Sequence, residues 1–229
     1  WEEGAGGWGR RWGGAKPGLG NEARVEEKRP GEFVPVEEEA RGTYLYNSKD
    51  LCMIEHIPEL ARAGIDSLKI EGRNKTAYYA ACVTGAYRAA LDAYAVDPAG
   101  YVLPQFCLDE VSKVSHRDYY TGFYFGSDEM GQHDGDSPYI RHYEVVGMPI
   151  DGGADGHAVF ALKNRIFKGE ELELIQPGQP PYRFHVEGVT DDEGVQRELF
   201  NVPQMRVHFS FPFPVDEYAI LRKEKERPD

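Results

Sequence analysis

The sequence is short of cysteine, of long apolar runs and of positive charge, and each shortage closes off a class of function. Three cysteines in 229 residues (Cys52, Cys82 and Cys107) are odd in number and widely spaced. That argues against a disulfide framework and fits a reducing cytoplasm. No apolar stretch approaches the ~20 residues that cross a bilayer, so no membrane partner is expected. The 26 basic side chains are outnumbered by 39 acidic ones, a net charge of −13. This balance argues against DNA and anionic lipid surfaces, which attract basic faces, and leaves a local RNA-contacting patch open.

Hydrolase and phosphate-binding signatures are also missing. EHIPE (55–59) has the wrong spacing for two zinc ligands on one helix face, and no G-x-S-x-G elbow occurs. GDSP (135–138) sits in a polar stretch without the glycines of a serine-protease motif. DGGADG (151–156) carries Leu162 where a calcium loop needs an acid at its twelfth position, so it is a turn. There is no glycine-rich phosphate loop.

What is present is a hydrophobic content of 41% with 12% aromatics, enough for a packed core. Residues 1–24, rich in Gly, Trp and Arg, show no periodicity and read as disordered. The chain starts with Trp rather than Met, which reads as a fragment of a longer protein. Residues 25–41, charged and broken by Pro30, Gly31 and Pro35, read as an exposed loop. TYLYN (43–47) is a short strand, and Ser48 and Asp50 offer capping chemistry for the helix that follows. Pro58 tolerates only a first-turn position, so two short helices should meet near His56 and Ile57, with Gly64 ending the second.

IDSLKI (65–70) reads as the next strand and residues 76–94 as a long helix, with Tyr79, Val83, Tyr87, Ala90, Leu91 and Tyr94 on one face. Strand and helix alternating with short connections favours a parallel sheet. A short helix is expected over 105–114. A linker at 127–138 separates this α/β region (25–126) from a β region (139–229). There, stretches at 139–150, 157–164, 170–176, 182–189, 205–210 and 217–223 alternate with turn clusters. They predict a small antiparallel β-barrel or sandwich.

Within the second strand, Leu68 and Ile70 alternate with Ser67, Lys69 and Glu71, so one face is apolar and the other charged. In a closed α/β barrel that polar face would look into the C-terminal mouth, where such enzymes place their sites; on an edge strand it would simply be wet. Cys52 follows the preceding strand among the polar residues Asn47, Ser48 and Lys49 and opens a helix, where a lowered thiol pKa is favoured. Cys82 and Cys107 sit within helices and read as small hydrophobes. His116 and Arg117 are placed either to reach the same mouth, with histidine as a base poised near neutrality, or to tie their loop down.

Three stretches in order, EKRPGEFVPVEEEARGTYLYNSKDLC (27–52), GIDSLKIEGRNKTAYY (64–79) and VSHRDYYTGFYFG (114–126), resemble the collagenase-like peptidase family U-32, in particular its branch linked to tRNA uridine 5-hydroxylation. The resemblance implies that residues 43–94 are the last two βα units of a TIM-like (β/α) barrel, and that the β region is the family's small C-terminal barrel. It implies a 4Fe–4S cluster held by four cysteines, with Cys52 as the last ligand, since thiolates are the usual cluster ligands. Lys69 and Glu71 would be catalytic, and Asn47, Lys49, Arg73, His116 and Arg117 would bind substrate. The other three cysteines of the family lie upstream of the E-K-R-P-G segment, where this sequence differs, so this chain alone is expected to be neither cluster-bound nor active. The implied function of the intact protein is prephenate-dependent hydroxylation of tRNA uridine. The alternatives are proteolysis of a peptide substrate and a non-catalytic RNA- or protein-docking module.

Overall fold

The computed structural model describes residues 22–25, 33–39, 42–45, 49–126 and 142–225. The chain divides into two compact units, Trp1–Ser48 with Gln132–Asp136, and Lys49–Gly131 with Ser137–Asp229.

The first unit contains an antiparallel meander of β1 (Glu22–Val25), β2 (Phe33–Glu39) and β3 (Gly42–Leu45), in spatial order β1-β2-β3. β1 begins inside the stretch expected to be disordered; the rest of 1–21 and the linker at 127–138 lie outside the described residues. β2 corrects the expectation of a loop over 25–41. Pro35 pairs with Ala23 of β1, and the ladder to β3 runs over Val36–Glu39 among the described residues. β3 is the strand expected near 43–47, but it runs antiparallel to β2.

In the second unit, β4 (Asp50–Leu51) pairs in parallel with β5 (Tyr119–Tyr120). A 3₁₀ turn at Ile54–His56 runs into α1 (Ile57–Arg62), with Pro58 in its first turn and Gly64 at φ +77° behind it. The expected strand at 65–70 is absent. The segment carries no regular structure, with Leu68 and Ile70 half-buried in apolar clusters while Lys69 and Glu71 are exposed. Alternation alone fixes which side chains turn inward; a strand also needs a neighbour, and none of the described strands lies beside it. The parallel βα units of a TIM-like barrel are thus not found among the described residues. α2 (Ala77–Val96) is capped by Thr76, whose Oγ1 accepts from the Tyr79 N–H at 3.2 Å, and α3 (Gln105–Ser112) follows.

The β region forms a curled six-stranded antiparallel sheet, a half-barrel. It contains β6 (Tyr143–Asp151), β7 (His157–Leu162), β9 (Glu171–Ile175), β10 (Tyr182–His185), β12 (Arg206–Ser210) and β13 (Ile220–Glu224) in the order β10-β9-β13-β6-β7-β12. The short strands β8 (Ile166–Phe167) and β11 (Leu199–Phe200) make a separate two-stranded ribbon. Its concave core gathers Val146, Phe160, Leu172, Leu174, Val207, Phe209 and Leu221. A second core joins Ile54, Ile57, Ala86, Ala90, Cys107 and Val111 of the helices. A third joins helix to sheet, through Tyr78, Cys82 and Val83 on α2 with Ile175 and Ile220 on β9 and β13.

At that junction Arg222 is fully buried. Its guanidinium donates to Glu110 of α3 (NH1 to Oε2, 2.7 Å), to Glu173 of β9 (Nε to Oε2, 2.8 Å) and to the Tyr78 hydroxyl of α2 (3.1 Å). Lys113 and Arg183 also donate to Glu173, at 3.0–3.1 Å. Burial opposes charge on Arg222, but the hydrogen bonds and charge of Glu110 outweigh it and push its pKa up.

Candidate functional site

The three sequence stretches that carry the family resemblance converge on one carboxylate, Asp50. β4 presents Asp50 beside β5, because the Asp50 N–H donates to the Asp118 carbonyl (2.9 Å) and the Cys52 N–H to that of Tyr120 (3.0 Å). Arg117 donates to Asp50 three times: its backbone N–H to Oδ2 (3.0 Å), Nε to Oδ1 (3.1 Å) and NH2 to Oδ1 (2.9 Å). Lys75, from the turn after Arg73, places Nζ 3.7 Å from Asp50 Oδ2 and donates to the Ser115 carbonyl at 2.9 Å. Charge-assisted, two-pronged bonds of this kind fix orientation as well as contributing energy. Asp50 therefore clamps segments 49–52, 71–75 and 115–120 together. The sequence reading of Asp50 as a helix cap is corrected: the first helical turn begins at Ile54, and its N-cap, Met53, makes no side-chain cap bond.

Cys52 lies two residues from the clamp and is half-buried. Its Sγ is 3.8 Å from the Tyr87 hydroxyl, which also accepts from the Met53 N–H at 2.8 Å. Tyr79, Tyr87 and Tyr119 lie close enough for the Cys52 charge to raise their pKa values, though burial is the larger cause in each. All three phenols are held protonated. Thiol and phenol thus form a polar pair on an otherwise apolar helix wall. Burial pushes the Cys82 thiol up to about 12 and the Cys107 thiol up to about 11. Neither is poised to be a thiolate.

The remaining residues singled out in the sequence fall in distinct places. Lys49 is half-buried beside Asp50, and Asn47 lies outside the described residues. His116 is buried, stacked on Tyr119 at 4.2 Å, and both ring nitrogens face carbonyls of its own segment, Arg117 O at 2.6 Å and Ser112 O at 3.2 Å. That is the loop-tying placement. Lys69, Glu71 and Arg73 are exposed, and Glu71 Oε1 accepts the Arg73 N–H at 3.1 Å, which shapes the turn leading to Lys75. Beyond the clamp, Phe123, Tyr124 and Phe125 are exposed, with the Phe125 ring 4.3 Å from that of His56.

Sequence reasoning missed Tyr87, read only as one of a helical apolar stripe, and Lys75, a lone basic residue in a turn. Nothing in the one-dimensional pattern marks a tyrosine whose hydroxyl meets a thiol 35 residues away. Basic residues of the β region that could have served RNA docking are largely engaged with acids: Arg222 with Glu110, Lys223 with Glu170 (2.7 Å), Lys168 with Glu198 (2.8 Å) and Arg183 with Glu173.

Comparison with known proteins adds a framework for this geometry. A family model described as peptidase family U32 matches residues 18–134, and one described as peptidase family U32 C-terminal domain matches residues 141–222. The chain is 32% identical over 184 residues to tRNA hydroxylation protein P1 of Bacillus subtilis (strain 168), covering 80% of this chain and 44% of that protein. It is 35% identical over 207 residues to tRNA hydroxylation protein P of Escherichia coli (strain K12), covering 86% of this chain and 44% of that protein. The chain therefore spans less than half the length of these two relatives. A crystal structure of the C-terminal domain of a protein described as a U32 peptidase, from Geobacillus thermoleovorans, is also similar. It shows 23% identity and a TM-score of 0.32 over 35% of this chain and 99% of that one.

Proposed function

Because this chain belongs to peptidase family U32, we propose that it serves the hydroxylation of uridine in tRNA, with prephenate as co-substrate, and that Cys52 is one ligand of a 4Fe–4S cluster. The observation that carries this reading is the match, over 80% and 86% of the chain, to two proteins named for tRNA hydroxylation. The geometry supports it, since the segments carrying the resemblance are drawn together by Asp50 directly beside a half-exposed thiol.

The fit to a cluster is partial. Among the described residues no group of three or more His, Cys, Asp or Glu side chains could hold a metal, and Cys82 and Cys107 are buried. The described residues supply one thiolate corner, and further ligands would have to come from outside them. When bound, such a cluster supplies electron-transfer chemistry.

The roles of this chain's own residues follow from their placement. Asp50, Arg117 and Lys75 hold the Cys52 segment in position, and Tyr87 fixes the thiol against α2. His116 secures the 115–120 loop rather than facing solvent. Lys69, just before Ile70, and Glu71 and Arg73, between Ile70 and Lys75, are exposed and can meet an incoming substrate, Lys69 and Arg73 as cations suited to RNA phosphates and Glu71 as an acceptor.

Mass spectrometry of tRNA nucleosides tests the reading. A strain deleted for the gene should lose 5-hydroxyuridine-derived nucleosides, and a gene carrying Cys52→Ser should fail to restore them. Unchanged tRNA in the deletion strain, together with peptide or gelatin cleavage abolished by a point substitution, would instead establish the family's proteolytic activity.

A further inference from the structure

We propose that His157 and His208, on the face of the β7–β12 pair, form a two-imidazole site for a divalent transition-metal ion of the Cu²⁺, Ni²⁺ and Zn²⁺ class. The inference does not rest on the tRNA reading.

The strand register brings the two side chains together. β12 runs antiparallel to β7 with His208 opposite Val159 and Ser210 opposite His157. His157 and His208 are thus diagonal neighbours on one face, within reach of each other. Nδ1 of His208 lies 3.3 Å from Nε2 of His157, with the rings 5.3 Å apart between centroids. Metal–imidazole bonds of about 2.0–2.1 Å at a tetrahedral centre put their two nitrogens roughly 3.3–3.4 Å apart. The separation needed is the one already present.

A second observation concerns the far side of His208. Its Nε2 is 2.7 Å from Oδ1 of Asp192, and Arg206 Nε stands 3.5 Å from the same oxygen. The Asp192 loop is held against β12 by paired backbone bonds, His208 N–H to Thr190 O at 2.8 Å and Thr190 N–H to His208 O at 3.3 Å. A carboxylate accepting at Nε2 keeps the ring proton of the neutral imidazole there, so the Nδ1 lone pair points at His157. Carboxylate, histidine and metal in line is the usual way proteins fix the tautomer and orientation of a ligating imidazole. In the metal-free protein the His157 Nε2–H donates to that lone pair. Metal entry requires only that His157 carry its proton on Nδ1, with no net proton released.

His157 is exposed and His208 half-buried, so solvent reaches the pair. No third His, Cys, Asp or Glu joins them among the described residues. Water or a partner's side chain completes the coordination, and the ion is exchangeable rather than structural. Imidazole donors favour Cu²⁺ over Ni²⁺ and Zn²⁺.

The test is titration of the 229-residue chain with CuCl₂, followed by calorimetry and by electron paramagnetic resonance for nitrogen hyperfine structure. One Cu²⁺ bearing two imidazole nitrogens is expected, and the same spectrum is expected in Cys52→Ser. His157→Ala and His208→Ala should each weaken this site at least tenfold and leave a one-nitrogen spectrum. Asp192→Asn keeps both rings and should weaken it about tenfold or more. This variant separates ligand orientation from loss of fold, which circular dichroism checks in each case. Copper affinity within twofold of the parent in both histidine variants, or loss of the two-nitrogen signal in Cys52→Ser, would overturn the assignment.

Discussion

Asp50 gathers more of the second unit's connectivity than its place in a two-residue strand would imply. Its carboxylate accepts from Arg117 through one backbone and two side-chain donors and lies beside the Lys75 ammonium, with all three side chains only about a fifth to a quarter exposed. Asp50→Ala should therefore cost about 2 kcal/mol, in the range for hydrogen bonds to charged groups, read as a lower midpoint in urea. Arg117→Lys should also destabilise, by less, because the backbone donor is kept but lysine cannot reproduce the two-pronged geometry. The three thiols make a second residue-scale prediction. Cys52 is half-exposed, whereas Cys82 and Cys107 are buried with thiol pKa values pushed up to about 12 and about 11 by burial. Since the thiolate is the reactive form, a thiol reagent at neutral pH should label Cys52 alone in the native chain and all three in denaturant. Mass mapping of the modified peptides shows which thiol reacted.

The elements show where a one-dimensional pattern carries structure and where it does not. Four of the six strands of the large sheet lie within the stretches expected from alternation and turn clusters, β6 and β13 each run one residue past theirs, and α2 and α3 lie within two residues of their expected bounds. Those elements pack an apolar face on a core made by their own neighbours, so their period is written into the residues. Residues 65–70 carry the same alternation yet form no strand, because none of the described strands lies beside them; Leu68 packs on the helical cluster and Ile70 on the cluster that joins helix to sheet. β2 was hidden by Pro35, which cannot donate to a ladder, yet Pro35 stands in register with Ala23 of β1. Cys52 and Arg117 were singled out because their motifs could be recognised, Arg117 as a substrate-binding residue rather than as the partner of Asp50. Asp50, Lys75 and Tyr87 were not, because their roles depend on contacts between segments 34–67 residues apart. The turn before β7 yields a prediction at this scale. Gly156 has φ +85°, and a Cβ there would sit 2.1 Å from the Phe211 carbonyl oxygen, whose own N–H donates to Gly156 O at 2.9 Å. Gly156→Ala should cost about 2 kcal/mol or more, since the left-handed conformation alone disfavours a side chain by ~1–2 kcal/mol. Thermal unfolding followed by circular dichroism measures the loss.

At the scale of the whole molecule, the question is whether helices α1–α3 and the half-barrel unfold together, and Arg222 decides it. Its strand contributes Leu221 to the barrel core, while Arg222 itself faces the helices and is bound by Glu110 from α3 and Glu173 from β9. Truncating one partner of a buried ion network leaves the other charges uncompensated, at a cost of about 3–5 kcal/mol. Arg222→Ala removes the donor that Glu110 and Glu173 share at the seam between helix and sheet, leaving Glu110 to Lys113 and Glu173 to Lys113 and Arg183. The parent chain should therefore show coincident unfolding curves for helical ellipticity and for fluorescence of the sheet's tyrosines, and Arg222→Ala should separate them. Coincident curves in that variant would mean that the apolar contacts of Tyr78, Cys82, Ile175 and Ile220 couple the layers without the arginine. The same cluster sets an acid limit. Burial alone would raise the Glu173 carboxyl, but Arg222 and Lys113 outweigh it and hold it below its ordinary value of 4.5. A carboxyl depressed in the folded state contributes stability that is present above its unfolded value and is lost as pH falls through the folded one. Stability of the parent should therefore decline below about pH 4.5 as the unfolded chain takes up the proton first. Glu173→Gln, less stable at neutral pH, should show a shallower acid limb, so the two curves of unfolding free energy against pH converge as pH drops. Curves that stay parallel across that window would locate the acid sensitivity elsewhere, and would show that the seam is held by shape rather than by charge.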